Sequence, residues 1–409
     1  MVGNVIVGQS GGPTAVINSS LAGVYKTAKD LGAGKVYGMR YGIQGFLQKN
    51  IVDMDDKIHS DLDLELLKRT PSAFLGSCRY KLPDICDDKE LYEKIFSILE
   101  EYQITAFFYI GGNDSMDTIK KLSDYAIIIN SDIRFIGVPK TIDNDLAATD
   151  HTPGYGSAAK YIASVTKEII RDGLVYDVKN VAVIEIMGRN AGWLTGAAAL
   201  ARCEDCEGVD LLYLPELPFD VDSFLEKIGE LLKKKNSIVV AVSEGIKTAD
   251  GKYVFELTNH TEYVDSFGHK QLSGTARYLS SLVSEKFGCK SRSIELSTLQ
   301  RCAGHLTSRV DITEAYQVGG SAVKAAFDGD TGKVVILKRV SNDPYICTTD
   351  LYDVHKVANV EKKVPLEWIT EDGTYVSDKL VNYIRPLIQA ELTPIMITGQ
   401  PRHIVIDRQ

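Results

Sequence analysis

The sequence predicts an α/β protein built from parallel sheets that helices cover on both faces. Apolar runs alternate along the chain with amphipathic stretches, which is typical of repeated strand-then-helix units. Each run is short and continuous, as expected of a strand that is buried on both faces. The runs are residues 5–7, 106–110, 135–138, 181–186, 211–214 and 238–242.

Helices are predicted between these strands from the spacing of apolar side chains. The clearest stretch is 157–171, in which one side of the helix is apolar. Its apolar residues are Tyr161, Ile162, Val165, Ile169 and Ile170. Residues 15–31 and 116–122 also have a helical pattern. The run 191–201 is rich in alanine and glycine and is too short to cross a bilayer, so we expect a close-packed buried helix.

The length and composition indicate a globular protein of two or three domains. The chain has 409 residues and a mass of 45.0 kDa, with 44% hydrophobic and 25% charged residues. No apolar run is long enough to span a membrane and no leader pattern precedes the first strand, so we expect a cytoplasmic protein. Towards the C-terminus the pattern weakens, and residues 329–409 are predicted to form an appended, partly β extension.

The net charge of −9 and the pI of about 5.4 disfavour a nucleic-acid-binding surface, which would need a basic stripe. An acidic chain weakly repels phosphorylated substrates, so their binding requires cations concentrated in one cleft. The candidate cations are Arg79, Lys140, Arg189, Arg292 and Arg301.

The seven cysteines are scattered, and we expect them to be reduced thiols and not a disulfide framework. Cys203 and Cys206 have the spacing of metal ligands, but no second cysteine or histidine pair follows at a matching interval. We therefore expect thiols at a helix end there, and not a zinc site.

Three predicted strands end in loops that are rich in glycine or acidic residues. Residues 7–14 read VGQSGGPT, residues 110–115 read IGGNDS, and residues 137–145 read GVPKTIDND. Ligands of α/β proteins bind outside the carboxyl ends of parallel strands, where glycine loops let phosphate oxygens approach the backbone. The three loops therefore predict a phosphate site, although the first is neither a Walker loop nor a dinucleotide fingerprint.

The third loop combines the groups that phosphoryl transfer needs. A carboxylate such as Asp143 can take the proton of an acceptor hydroxyl, while cations such as Lys140 and an oxygen-bound metal absorb the charge of the migrating group. Asp143 and Asp145 are two residues apart, so in an extended segment both side chains would point to one face. For an isolated Asp-Asn-Asp, an acidic turn that only caps backbone amides would be the simpler interpretation.

Together these residues resemble the phosphofructokinase family. The resemblance runs from Asn4 to about Asp311, and the motifs follow the family's order. They are residues 8–18, 74–79, 111–115, 137–145 and 187–189, Glu244, and residues 299–301. The resemblance implies two doubly wound, Rossmann-like domains. Residues 1–141, with about 298–328 returning, would bind the phosphoryl donor, and residues 142–297 would bind the sugar phosphate.

The resemblance also implies roles for single residues. Asp143 would be the catalytic base, and Thr141 and Asp145 would orient the reacting groups. Donor phosphates would contact Gly11, Gly12, Arg79, Ser115 and Lys140. The sugar phosphate would contact Thr141, Asp143, Met187, Gly188, Arg189, Glu244, Arg292 and Arg301. Because Arg292 would reach into a neighbouring subunit, the active form would be a homodimer or a larger homo-oligomer.

Two departures from the ATP-using pattern indicate the pyrophosphate-dependent branch of the family. ATP-using members of the family typically have Gly-Gly-Asp-Gly in the second loop and Pro-Gly-Thr-Ile-Asp in the third. At the last position of the first motif this chain has Asp114, and at the glycine of the second it has Lys140. Asp114 would repel a nucleotide phosphate, and Lys140 would offer an ammonium to pyrophosphate, so both would select the donor. The expected reaction is reversible transfer from pyrophosphate to the 1-hydroxyl of fructose 6-phosphate, a step of glycolysis and gluconeogenesis.

Mg²⁺ is the expected cofactor, although Asn113 stands where the family commonly has an aspartate ligand. An amide oxygen can coordinate a cation but carries no charge. We therefore expect Asn113 and Asp114 to bind the metal, with Asp143, Asp145 or pyrophosphate itself as further ligands.

Several alternatives stay open at this point. Within the same fold, ATP could be the donor, or a related sugar phosphate such as sedoheptulose 7-phosphate could be the acceptor. A catalytically idle sugar-phosphate sensor is favoured only by Asn113 and is disfavoured by the presence of Asp143 and Asp145. A nicotinamide dehydrogenase would share the doubly wound pattern, but the sequence has no dinucleotide fingerprint.

Overall fold

A computed structural model describes residues 3–257 and 273–406 of the chain. These residues divide into two compact units, each formed from separate stretches of sequence. Unit 1 comprises residues 3–157, 301–361 and 390–406, and unit 2 comprises the described parts of 158–300 together with 362–389.

The strands and helices of both units follow one another in the order that a doubly wound fold requires. The strands are β1 (Asn4–Gln9), β2 (Val36–Met39), β3 (Ile51–Asp53), β4 (Ile104–Gly111), β5 (Arg134–Pro139), β6 (Asn180–Ile186), β7 (Leu211–Tyr213), β8 (Ser237–Ser243), β9 (Lys290–Glu295), β10 (Lys333–Asn342), β11 (Tyr345–Asp353), β12 (Met396–Ile397) and β13 (Gln400–Pro401). The helices are α1 (Ile17–Asp30), α2 (Gly42–Phe46), α3 (Asp61–Arg69), α4 (Lys89–Glu101), α5 (Asn113–Ile128), α6 (Tyr155–Gly173), α7 (Trp193–Gly196), α8 (Val221–Leu231), α9 (Thr275–Phe287), α10 (Arg309–Phe327) and α11 (Asp378–Ile384).

Each unit contains one main sheet in the part of the chain that the structure describes. In unit 1 the strand order is β11-β10-β5-β4-β1-β2-β3, and only the edge strands β3 and β11 pair antiparallel. In unit 2 the order is β7-β8-β6-β9 and every pairing is parallel. Strands β12 and β13 form a small antiparallel hairpin. The predicted class, two doubly wound sheets with a partly β extension, is confirmed.

The two faces of the unit 1 sheet bury separate hydrophobic clusters, which explains why its central strands are apolar at every position. On β1, Val5 and Val7 face the cluster that contains residues of α1 and α10, whereas Ile6 faces the cluster of α4 and α5. On β4, Phe108 and Phe107 are divided in the same way. Successive side chains of a strand point to opposite faces, so helices on both faces require a continuous apolar run.

Helices α1 and α10 pack closely against each other through glycines. A Cβ atom added to Gly23 would lie 2.1 Å from the carbonyl oxygen of Tyr316, and one added to Gly319 would lie 2.1 Å from that of Ser20. Only glycine permits this approach of the two backbones. The contact holds α10 on the same face of the unit 1 sheet as α1, the helix that follows the first glycine loop.

The predicted elements agree with the structure except in details of their ends. Five of the six apolar runs lie within strands, the sixth, 211–214, extends one residue past β7, and the stretches 116–122 and 157–171 lie within α5 and α6. The first helix begins at Ile17, two residues later than its pattern predicted. The run 191–201 contains the short α7, followed by a 3₁₀ helix at Ala197–Ala201, and most of it is buried as expected.

The C-terminal extension is shared between the two units and does not form a compact unit of its own. Strand β10 pairs with β5 and so continues the unit 1 sheet, because Val334, Val335, Ile336 and Leu337 are buried on its two faces. Residues 362–389 belong to unit 2, and residues 390–406 return to unit 1. The assignment of donor and sugar phosphate to separate domains stays a prediction.

Across the described residues, no helix has both the length and the hydropathy needed to cross a membrane.

Candidate active site

The first glycine loop lies between β1 and α1 and is tied to the segment 77–79. The N–H of Gly11 donates to the carbonyl oxygen of Cys78 at 3.1 Å, and the Ser77 hydroxyl donates to the carbonyl oxygen of Gly11 at 2.6 Å. Gly11 has a φ of 75°, which favours glycine. Since α1 begins only at Ile17, the loop does not lead directly into the helix.

The second loop leads directly into α5, whose first turn carries Asn113, Asp114 and Ser115. Gly112 precedes the helix and has no side chain, so no capping side chain occupies the N–H groups at the start of α5. A Cβ atom on Gly111 would lie 1.8 Å from the Ser115 hydroxyl, so the strand end and the first helical turn are in close contact. This arrangement is the one expected for a phosphate-binding helix end.

Lys140 is the central cation of unit 1. Its ammonium donates to the carbonyl oxygen of Gly12 at 2.8 Å, and its backbone N–H donates to Gly111, so it joins the first and second loops. Burial lowers the pKa of Lys140 to about 8, although the carboxylates of Asp143 and Asp145 act in the opposite direction. A buried ammonium of this kind gains most from an anionic ligand.

Two arginines contribute positive charge near Lys140. Arg79 and Arg301 both lower the pKa of Lys140 further by charge repulsion. A guanidinium nitrogen of Arg301 would lie 3.3 Å from a Cβ atom on Gly12, which places this arginine against the first loop. Arg301, predicted to contact the sugar phosphate, therefore lies among the predicted donor residues of unit 1.

The segment from Thr141 to Asp145 is a bent turn, so the expectation of an extended segment was wrong. Asn144 has a φ of 54°, in the left-handed region, and the residues before it form a bend. The buried Asn144 amide oxygen accepts a hydrogen bond from the N–H of Thr152 at 3.1 Å, which stabilises the turn. The Thr141 hydroxyl donates to Asp143 Oδ2 at 3.3 Å and accepts from the N–H of Asp143 at 3.1 Å.

Asp145 lies in a strongly acidic environment. Burial and the nearby Asp143 carboxylate raise the pKa of Asp145 to about 7, and Glu361 acts in the same direction. Two neighbouring carboxylates with little solvent cannot both ionise easily. A divalent cation bound to their oxygens would remove this conflict, so Asp145 fits the predicted metal site.

The segment after the turn at residues 141–145 is fixed by buried hydrogen bonds. The Thr152 hydroxyl donates to the carbonyl oxygen of Thr141 at 2.8 Å. The carboxylate of Asp311, at the start of α10, accepts from the N–H groups of Gly154 and Ser157, each at 2.8 Å. These contacts join the turn to α10 within unit 1.

A buried charge network adjoins this segment. The imidazole of His151 lies 2.8 Å from Asp150 Oδ1 and 2.6 Å from Glu314 Oε2. Burial would lower the pKa of His151, but the carboxylates of Glu314 and Asp150 outweigh it and raise the pKa to about 9. Arg339 also binds Asp150, and the Tyr345 hydroxyl donates to Glu314 at 2.6 Å. The extension thereby contributes two side chains of β10 and β11 to the support of the turn.

The predicted sugar-phosphate residues Met187, Gly188, Arg189 and Glu244 lie together at strand ends of unit 2. They follow β6 and β8, which are adjacent parallel strands. The N–H of Gly188 donates to Glu244 Oε1 at 3.3 Å. A Cβ atom on Gly245 would lie 2.0 Å from the carbonyl oxygen of Arg189, so the two loops are in backbone contact.

Arg292 lies on a different part of unit 2. It belongs to the edge strand β9, and its guanidinium binds Asp172 Oδ2 at 2.9 Å while its side chain is half exposed. Arg292 belongs to unit 2 and Arg301 to unit 1, so their joint contact with one sugar phosphate stays a prediction.

Several supporting residues had no role in the sequence interpretation. Gln9 accepts from the N–H of Leu75, and its amide donates to the Asn18 side chain, which accepts from the N–H of Phe74. These two buried amides hold the segment before Arg79. The sequence signal for this support was Gln9, a polar residue at the end of an otherwise apolar strand. In unit 2, Gln300 similarly accepts from the N–H of Met187 at 3.1 Å.

Cys203 and Cys206 follow the 3₁₀ helix that ends at Ala201, and their backbones exchange hydrogen bonds. The Cys203 thiol donates to Asp205 at 3.1 Å. The one group of potential metal ligands that converges in the described residues is instead His151, Glu314 and Cys347.

Glycine loops, clustered cations and an acidic turn at the ends of parallel strands define a phosphotransferase-type protein. The sequence comparison agrees, because the phosphofructokinase family matches residues 4–326. The chain belongs to the phosphofructokinase family.

Similar proteins extend the match over nearly the whole chain. The pyrophosphate–fructose 6-phosphate 1-phosphotransferase of Halomonas elongata is 39% identical over 403 residues, which cover 98% of this chain and 95% of the relative. The protein of the same name from Xanthomonas campestris is 40% identical over 391 residues, with 95% and 92% covered. The crystal structure of pyrophosphate-dependent phosphofructokinase from Nitrosospira multiformis has a TM-score of 0.88 and 37% identity, covering 98% of this chain and 95% of that one.

Proposed function

We propose that this enzyme transfers a phosphoryl group reversibly from pyrophosphate to the 1-hydroxyl of fructose 6-phosphate. The products of the forward reaction are fructose 1,6-bisphosphate and phosphate. The relatives from Halomonas elongata and Xanthomonas campestris are named for this activity, and this chain matches them over nearly their full length. Glycolysis and gluconeogenesis would share this step, and a cytoplasmic location stays a prediction.

The cluster of Lys140, Arg79 and Arg301 beside the first glycine loop is the observation that carries the proposal. The three cations repel one another, and burial has already lowered the pKa of Lys140 to about 8. A small, highly charged anion would relieve both costs, and pyrophosphate has no nucleoside through which to gain affinity elsewhere. Gly11 and Gly12 would allow its oxygens to approach the backbone.

Asp143 is the proposed general base. Its carboxylate would take the proton of the sugar 1-hydroxyl as the hydroxyl oxygen bonds to the transferred phosphorus and the bridging P–O bond of pyrophosphate breaks. The departing phosphate would keep the bridging oxygen, and Lys140 would stabilise its charge. The two hydrogen bonds with Thr141 would hold the Asp143 carboxylate in orientation.

Asp114 is the proposed selector against nucleotides. It lies in the first turn of α5, where a longer polyphosphate would meet its carboxylate. The negative charge of Asp114 would oppose binding of the longer polyphosphate of ATP more than binding of the compact pyrophosphate. Ser115, beside Gly111, would contact the donor phosphates.

Asn113, Asp114 and Asp145 are the residues proposed to hold a divalent cation, which we infer to be Mg²⁺. All three offer oxygen atoms, the ligands that Mg²⁺ prefers, and the pKa of Asp145 is raised by burial and by the neighbouring Asp143 carboxylate. The bound cation would supply charge neutralisation to the transferring phosphoryl group.

In unit 2, the proposed sugar-phosphate contacts are Met187, Gly188, Arg189 and Glu244. The guanidinium of Arg189 suits a phosphate, and the Glu244 carboxylate suits sugar hydroxyls.

The active form is proposed to be at least a homodimer. Four large apolar side chains between α6 and β6 are more than half exposed, namely Leu174, Val175, Tyr176 and Val178. Tyr176 and Val178 line one cavity together with Arg292, so a second copy of the chain could cover this surface, and exposed apolar clusters of this kind mark interaction sites. By resemblance, Arg292 would then complete the neighbour's sugar-phosphate site.

Phosphate release with pyrophosphate, measured beside ADP formation with ATP, tests the proposal. We expect fructose 6-phosphate phosphorylation with pyrophosphate, and a kcat/KM for ATP lower by roughly 10²-fold or more if one charge contact decides the donor. A preference for ATP would contradict the proposed donor. Sedoheptulose 7-phosphate as an alternative acceptor would show whether the sugar site is selective.

A further inference from the structure

Residues 354–361, here called the strap, leave strand β11 and cross the first turn of α5 within unit 1. A 3₁₀ turn at Val354–Lys356 begins the strap. Val354 and Val357 are buried in the hydrophobic cluster that also contains residues of α5. The strap therefore has a fixed position against the helix that begins at Asn113.

Asn113 binds the strap through its side-chain amide. In the orientation that satisfies the amide, its nitrogen donates to the carbonyl oxygens of Val357 at 3.2 Å and Val360 at 3.3 Å. An amide nitrogen has two hydrogens, so these two bonds use its whole donor capacity. One turn further along α5, the Asn359 amide donates to Asp117 Oδ1 at 3.1 Å.

The other end of the strap reaches the turn at residues 141–145, here called the catalytic turn because it contains the proposed base Asp143. Glu361 forms an antiparallel bridge with Leu146, the residue that follows Asp145. Leu146 is buried in the same hydrophobic cluster as Val357. The strap thus connects the first turn of α5, where donor phosphates are proposed to bind, with the segment of Asp143 and Asp145.

These contacts give a physical reason for asparagine at position 113. A carboxylate there could not donate to either strap carbonyl, and its charge would face two partially negative oxygens. The asparagine instead turns its nitrogen to the strap, so its oxygen is the atom that remains for a cation or a metal-bound water.

We propose that Asn113 is a positioning residue that the strap holds, and that this contact fixes the donor loop relative to the catalytic turn. The proposal rests on the proposed function and deepens it, because it assigns the C-terminal extension to the donor site. The competing interpretation is that Asn113 is only a weaker form of the family's aspartate ligand. The two interpretations predict opposite effects of restoring the carboxylate.

The test compares Asn113→Asp with the wild type by hydrogen exchange without substrate or metal, and then by kinetics. We expect faster exchange at the N–H groups of Ala358 and Val360, which are bonded within the strap. We also expect the KM for pyrophosphate to rise roughly tenfold or more, since two hydrogen bonds are lost. The Mg²⁺ concentration for half-maximal activity should not fall.

Two further variants make the outcome decisive. Asn359→Asp sets a carboxylate against Asp117 and should loosen the strap and raise the KM for pyrophosphate without changing a donor-site residue. Asn130→Asp, at an exposed left-handed position after the other end of α5, is the matched control and should change neither measurement. If Asn113→Asp does not fold, Asn359→Asp alone decides.

Unchanged exchange together with a lower Mg²⁺ requirement in Asn113→Asp would overturn the proposal in favour of a simple metal ligand. Faster exchange with an unchanged KM would overturn it as well, because the contact would then be structural only. The exchange measurement needs no substrate, so failure of pyrophosphate as donor would be recognised separately from failure of the strap contact.

Discussion

The ammonium of Lys140 lies 2.8 Å from the carbonyl oxygen of Gly12, a residue 128 positions earlier in the chain. The bond joins the loop after β5 to the loop after β1 and places the cation at the edge of the sheet where both strands end. A carbonyl oxygen is only a partial negative charge, so most of the attraction that Lys140 can offer is still available to a phosphate. This bond connects the first glycine loop to the segment that leads into the turn at residues 141–145.

Replacement of Asp143 by asparagine should lower kcat by roughly 10²-fold or more, because an amide cannot accept the proton of the sugar hydroxyl. The KM for fructose 6-phosphate should change little, since the substitution keeps the size of the side chain. Steady-state kinetics of the purified variant provide the measurement. Asp132→Asn, an exposed change in the loop before β5, is the matched control and should behave as wild type. Wild-type turnover in Asp143→Asn would remove Asp143 from the role of base.

The strands of both units could be predicted from sequence because burial on two faces leaves a plain signal. Runs such as 106–110 and 238–242 have no polar position, and each became a central parallel strand. Strands β2 and β3 were not predicted, since they are only four and three residues long, and β3 is an edge strand whose three residues are all partly buried. Strand β10 lies in the extension that was predicted to be partly β, but its pairing with β5 depends on a contact between segments almost 200 residues apart, which local pattern does not encode.

The candidate site was predictable in its residues more than in its geometry. The motifs grouped Lys140, Asp143 and Asp145 with the glycine loops, and the structure places Lys140 against Gly12, but the bend of this segment depends on Asn144 and its bond to Thr152. The placement of Arg301 beside Gly12 is likewise a long-range contact. Such hydrogen bonds and contacts depend on the packing of the whole unit, so no spacing rule could reveal them.

His151 should make the stability of the protein depend on pH in the alkaline range. Its pKa is raised from 6.5 to about 9, so the protonated imidazole stabilises the fold fully below about pH 6.5, and this contribution is lost as the pH rises through about 9. We expect the difference in Tm between wild type and His151→Gln to be large at pH 6.5 and small at pH 9.5. Thermal unfolding at the two pH values is the measurement.

The comparison with the His151→Gln variant is needed because Lys140 makes the stability of the protein change with pH in the opposite direction. Its pKa is lowered to about 8, so its contribution to stability increases as the pH rises above about 8. That effect is the same in wild type and in His151→Gln and cancels in the difference. The groups around His151, namely Asp150, Glu314, Arg339, Tyr345 and Cys347, are the same residues in both proteins. A difference in Tm that does not vary between the two pH values would contradict a buried imidazolium.

Arg292 should act in the neighbouring subunit if the proposed dimer forms. Arg292→Ala and Asp143→Ala chains should each be nearly inactive alone. After subunit exchange, a mixed dimer has one site that combines an intact Asp143 with the partner's intact arginine. Equal mixing should therefore restore about a quarter of the wild-type activity. Each variant taken through the same exchange by itself is the control, and no recovery in demonstrated mixed dimers would mean that one chain builds the whole site.

Donor choice should depend on Asp114 and Lys140 in different ways. Asp114→Gly should raise kcat/KM for ATP, because it removes a carboxylate from the first turn of α5. Lys140→Gly should chiefly lower kcat/KM for pyrophosphate, by roughly 10²-fold or more, since it removes the cation that would stabilise the departing phosphate. The double variant should therefore show the largest change in the ratio of kcat/KM for ATP to that for pyrophosphate.

The measurement is a donor assay of wild type, both single variants and the double variant at saturating fructose 6-phosphate. Asp132→Asn, an exposed change in the loop between α5 and β5, is a control for a lost carboxylate. If Asp114 excludes nucleotide by its charge, Asp114→Asn should admit ATP partly and Asp114→Gly more fully, because glycine also removes bulk. An ATP-to-pyrophosphate ratio that is the same in all these proteins would show that neither residue selects the donor, while the family and the sugar-phosphate residues would be unaffected.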